Sequence, residues 1–197
     1  MASSAPISWR RAASGTLEPH PMFRAEASLS STRTFMEAIF PPTAKHTYAV
    51  MDAAKIFGFQ EVLESSGMQH ECLYRGRAQE RWGDVAPWLV RLKADHALTR
   101  ELLLKKNNPA SFSFLKAPAL FLTTDYSFDV VLKHLRRFTK VRAEDGRVLL
   151  LRFYDPITFS DLLEAMPSIQ VSELIETLKV TYLLPDGEWC TVESVEC

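Results

Sequence analysis

"HTYAVMD", residues 46–52, decides how this chain is read. The run is mostly apolar, alternates, and stops at Asp52, as a first core strand does. "AAKIFGFQEVLESSG" (53–67) follows at once. It predicts a helix, with Asp52 as N-cap and Gly67 as C-cap. A strand that hands over to a helix at a capping carboxylate is the unit of an α/β domain.

Working toward the C-terminus, "HECLYRG" (70–76) and "PWLVRL" (87–92) predict two more strands, with a helical turn between them. "DHALTRELLLKKN" predicts a helix with Leu98, Leu102 and Leu103 inward, and "SFSFL" (111–115) and "ALFLTT" (119–124) predict strands. In "DYSFDVVLKHLRRF" (125–138), Phe128, Val131, Leu135 and Phe138 recur at helical spacing. "TKVRAEDGRVLLLRF" (139–153) is a hairpin turning on Asp145-Gly146. "DPITFSDLLEAM" (155–166) is a helix capped by Asp155 with Pro156 in its first turn. A short helix in "VSELIETLK" and a hairpin around Pro185-Asp186-Gly187 close the chain.

Toward the N-terminus, "SSTRTFMEAIFPP" predicts a short helix with Phe35, Met36, Ile39 and Phe40 on its apolar face. Residues 1–30 are serine- and proline-bearing with little periodicity and read as a flexible tail. Residues 31–166 form the α/β domain, and 167–197 a C-terminal helix and hairpin extension. The expected class is α/β, a mixed β-sheet with flanking helices and late hairpins.

The 197 residues carry 47% hydrophobic and 24% charged residues and a formal net charge of −1. That suits one domain with an ordinary core, and no global field draws it to nucleic acid or an anionic membrane. No run of about 18 apolar residues offers a membrane span. Three cysteines, Cys72, Cys190 and Cys197, lack the paired spacing of a disulfide framework.

Motifs for chemistry are sparse. Neither GxGxxG nor GxxxxGK[ST] occurs, and seven glycines leave few to cradle a phosphate. His70 and Cys72 share a strand face, but nothing completes a metal set. No GxSxG elbow occurs. No catalytic, cofactor or metal residue is nominated. Lys133, His134, Arg136, Arg137, Lys140 and Arg142 form a basic cluster at a helix end, where cations complement the dipole.

In "LLLRFYDP" (149–156), three leucines predict a buried strand, yet Arg152 follows them. Arginine is rarely buried without a partner. On a strand, Arg152 and Tyr154 would share a face, and Asp52 is the candidate partner. The three would form a structural motif with Tyr48, Asp155 and Pro156.

Four elements in this order resemble one family. Tyr48 to Asp52, Val85 to Val90, Leu135 to Phe138, and Arg152 to Pro156 are similar to the motifs of type VI secretion effector chaperones, the Tap or TEC adaptors, over about residues 35–185. The resemblance implies a cytoplasmic bacterial protein that is not an enzyme and uses no cofactor. It implies binding to a cognate toxic effector and help in loading that effector onto the VgrG or PAAR spike, with no nucleic acid, membrane or small-molecule substrate. Trp82, Trp88 and Trp189 are candidate partner contacts, since tryptophan is enriched at binding hot spots, and packing in the core is the alternative for each. Lys133, Arg136 and Arg137 are the others. Two rival readings stand beside it: a hydrolase using Asp52 and Asp155, and a nucleic-acid module using the basic cluster.

Overall fold

The computed structural model describes residues 7–17, 29–56, 58–104 and 119–196. Nine strands and seven α-helices are described: β1 (Ile7–Thr16), α1 (Leu29–Ile39), β2 (His46–Asp52), α2 (Phe59–Ser66), β3 (His70–Cys72), α3 (Arg77–Trp82), β4 (Pro87–Leu92), α4 (Ala97–Leu104), β5 (Ala119–Thr124), α5 (Phe128–Arg136), β6 (Lys140–Arg142), β7 (Val148–Leu150), α6 (Pro156–Ala165), α7 (Ser168–Ile175), β8 (Lys179–Leu183) and β9 (Glu188–Glu196). The strand expected at 111–115 and the inward packing expected of Leu102 and Leu103 lie outside the described residues and side chains.

Seven strands form one sheet in the order β1-β9-β8-β5-β2-β4-β3. The α/β class and its flanking helices are as the sequence predicts. The sheet is not mixed, however: every neighbouring pair is antiparallel. The reason lies in the crossovers. β2 and β3 both pair with β4, and β4 and β5 both pair with β2. The strands joined through α2, and those joined through α4, therefore run parallel to each other with one antiparallel strand inserted between them. Such split units give a helix–strand alternation in sequence without any adjacent parallel pair.

Helices cover both faces. Ala49 and Met51 of β2 point into a core with Phe35 and Ile39 of α1, Phe59 and Leu63 of α2, and Leu98 of α4. Tyr48 and Val50 point the other way, onto Phe128, Val131, Leu132 and Leu135 of α5, Phe159 and Leu163 of α6, and Val171, Leu174 and Ile175 of α7. A strand buried on both faces needs apolar residues at every position, which explains the short apolar run of 48–51.

The helix expected over 53–67 is interrupted. Asp52 caps a short 3-10 turn, Ala53–Lys55, and Gly58 at φ 66° precedes α2. Gly67, at φ 67°, ends α2. In "HECLYRG" only His70–Cys72 pairs as a strand.

Two of the expected boundaries are corrected. Residues 7–16, read as part of a flexible tail, form the edge strand β1 on β9. The segment has little apolar pattern, and it becomes a strand because β9 offers it a ladder and a charge and the core takes Trp9. Arg10 lies opposite Glu193, which lies opposite Lys179 on β8. The Glu193 carboxylate takes Arg10 at 2.7 Å and Lys179 at 2.6 Å. Gly15 lets the chain pass over the Trp189 indole. Residues 167–197 are likewise no extension, because β8 sits between β5 and β9 with Val180, Thr181, Tyr182 and Leu183 buried.

Two outcomes follow for β1. A Cβ on Gly15 would stand 2.7 Å from Trp189 Cζ2, so Gly15→Ala should lower unfolding free energy in urea by about 1–3 kcal/mol through overpacking. The hydrogen bonds from Lys179 and Arg10 hold the Glu193 carboxyl below the usual carboxylate range. A carboxylate lowered in the folded state stabilises above its unfolded pKa, and that contribution is lost as pH falls through the folded value. Glu193→Gln should therefore be less stable than wild type at neutral pH, and the gap should close in acid when thermal midpoints are compared.

Candidate partner-binding surface

Asp52 ends the central strand β2, and its side chain is 1% exposed. One oxygen accepts from Ala54 N at 3.1 Å and starts the 3-10 turn. The other accepts from Arg152 at 2.5 Å. The expected arginine–aspartate pair is therefore present. Burial works against the guanidinium charge, but the Asp52 carboxylate outweighs it and raises the Arg152 pKa. The strand expected to carry Arg152 is not there: β7 stops at Leu150, and residues 151–155 form a turn that leads into α6.

The turn places Tyr154 in the core and Arg152 over its ring, 5.9 Å from the centroid. Tyr154 and Tyr74 share a hydrogen bond. Burial, and then that bond, push the Tyr154 hydroxyl far above its ordinary range. Asp155 caps α6 by accepting from Ile157 N and Thr158 N, both at 3.1 Å, and Pro156 is its first residue. Tyr48, fully buried, donates to Tyr126 O at 3.0 Å. Tyr48, Asp52, Arg152 and Tyr154 thus tie distant segments together, while Asp155 and Pro156 start α6.

The candidate contact residues are not gathered on one surface. Trp88 and Trp189 are core residues, which corrects their reading as partner contacts. Each lies on an inner strand of the sheet under α1 or α2, and Trp88 Nε1 donates to Gly83 O at 2.9 Å. Trp82 is exposed, with Arg81 5.0 Å over its ring. Arg136 is spent inside the protein: it donates to Cys72 O at 2.6 Å and Leu73 O at 3.3 Å, and meets Glu71 at 3.3 Å. It fastens the end of β3 to α5. His134 faces Leu174 O at 2.8 Å and the Glu176 carboxylate at 3.1 Å. Lys133 and Arg137 remain exposed.

Sites for chemistry are equally occupied. His70 Nδ1 lies 2.7 Å from Met68 O. Cys72 and Cys190 are buried free thiols, both pushed up by burial and so poor nucleophiles. Among the described residues, no cluster of three or more His, Cys, Asp and Glu could hold a metal, and no helix is long and apolar enough to cross a membrane.

The hairpin expected over 139–153 is present as β6 and β7; what sequence reasoning missed is that it stands apart from the main sheet and is exposed. Among the described residues β6 and β7 pair only with each other, and all six of their residues are exposed. Val148 is 59% exposed and Leu150 55%. Val141, Leu149 and, at the start of α6, Ile157 are also exposed. Of the three leucines expected in the core, Leu149 and Leu150 therefore face solvent, and Leu151 packs against the core. The signal was present in the alternation of Lys140, Val141 and Arg142, which no central strand would carry.

Residues 47–173 match the family described as Domain of unknown function (DUF4123), and the chain belongs to that family. The domain is known from type VI secretion effector adaptors. No curated protein and no solved structure gives a match.

Removing the guanidinium strands a buried carboxylate with one partner fewer. Arg152→Ala should lower stability by about 2 kcal/mol. Adding Asp52→Ala should cost less than the sum of the two single changes in urea denaturation. An Arg152→Ala protein of wild-type stability that has lost its partner would overturn the structural role.

Proposed function

We propose that this chain, as a DUF4123 protein, is a type VI secretion effector adaptor that binds a cognate toxic effector and helps load it onto the VgrG or PAAR spike. The family match over residues 47–173 carries this reading. The protein works in the bacterial cytoplasm and catalyses no reaction of its own. The engagement of its polar groups supports that view. Asp52 and Asp155, the pair a hydrolase would need, each hold a helix start, and Asp52 also holds Arg152. A general base must reach a substrate proton, and Asp52 is buried behind its partners. The nucleic-acid reading loses Arg136 to the backbone carbonyls of Cys72 and Leu73, and Lys140 and Arg142 lie beside exposed valines and leucines.

The test is capture of the tagged full chain from native cells under secretion-active conditions, with the effector and spike proteins encoded beside its gene probed by name. Both kinds of protein should be retained, and the effector should also bind the purified chain directly. Repeated absence of effector and spike would overturn the adaptor reading.

A further inference from the structure

We propose that the outer edge of β6 is the docking edge for the effector, and that it takes up an extended segment in which acidic and apolar residues alternate. This rests on the adaptor reading and names the chemistry of its partner.

The register of the hairpin sets the edge. Val141 lies opposite Leu149, Lys140 opposite Leu150, and Arg142 opposite Val148. Residues directly opposite share a face. One face therefore carries Val141 and Leu149, and the other carries Lys140, Arg142, Val148 and Leu150. Leu151 N donates to Thr139 O at 3.0 Å, and Ala143 N donates to Arg147 O at 2.9 Å. In an antiparallel pair the bonded positions alternate. Thr139, Val141 and Ala143 thus turn their backbone groups toward β7, while Lys140 and Arg142 turn theirs outward. Among the described residues the outward groups face no strand, because the ribbon has two strands there.

An open edge with exposed apolar side chains is a template for another strand. The neighbours it offers fix the sequence of that strand. On one face the incoming residue meets Val141, with Leu149 behind it, and should be apolar. On the other face it meets Lys140 and Arg142, and should be acidic. Among the described residues neither cation has an ion-pair partner. A second copy of this chain fits poorly, since two β6 edges would set these cations against each other, and like charges directly opposite are destabilising.

The test uses the full chain and fluorescein-labelled short peptides read by anisotropy. A peptide of alternating glutamate and valine should bind saturably, and more weakly as salt rises. Its lysine–valine counterpart, and a version N-methylated at alternate amides, should bind at least about tenfold more weakly. Arg142→Pro removes an outward N–H that the β6–β7 ladder does not use, and should weaken binding about tenfold. The double variant Lys140→Glu with Arg142→Glu should reverse the preference toward the lysine–valine peptide, a result that misfolding cannot give. Equal binding of all three peptides, or unchanged preference in the double variant, overturns the proposal. So does a dimer in sedimentation that Arg142→Pro abolishes. Effector capture that persists in both variants overturns the edge and leaves the adaptor reading standing. Loss of capture by the wild-type chain, with peptide preference intact, overturns the adaptor reading instead.

Discussion

A buried carboxylate at the end of the central strand organises this protein. Asp52 is reached by an arginine 100 residues away along the chain. A charge removed from water requires a partner and hydrogen bonds to its remaining lone pairs. Meeting that requirement fixes where three segments lie. The 3-10 turn starts on one carboxylate oxygen, the turn at 151–155 is drawn to the other, and α6 begins at the next acid, Asp155. Tyr154 follows into the core and meets Tyr74 beyond β3. The same turn that closes the core also ejects β6 and β7, because a chain pulled inward at Arg152 cannot continue as a sheet strand.

Much of this was legible in local sequence. β2, β4 and β5 stand where apolar runs placed them, and the start of α6 follows from Asp155 and Pro156. The hairpin at Pro185-Asp186-Gly187 also stands as read, with Gly187 at φ 92°. Each depends on residues within a few positions of one another. The Asp52–Arg152 pair was legible for another reason: an arginine beside a core segment must find an anion, and few are near a strand end.

What escaped reading depends on distant partners. "ISWRRAASGT" has no strand signal beyond what β9 and Glu193 impose on it. The antiparallel sheet could not be told from a parallel one, because a split unit and a direct crossover share the same alternation. Consecutive leucines specify burial only if something covers them: Leu151 packs against the core, while nothing near Leu149 and Leu150 in the sequence says that their strand leaves the main sheet. The tryptophans erred in the opposite direction: Trp88 and Trp189 sit inside, where an indole fills space between sheet and helix.

The pairing of β1 with β9 sets Ile7 opposite Glu196. The first of the described strands is thus matched to the last of them. During synthesis, residues 7–16 must wait unpaired until β9 has left the ribosome, since β9 is their partner. Closing that long loop costs entropy that only the finished sheet returns. The nascent protein can assemble its centre early and seal its margin last.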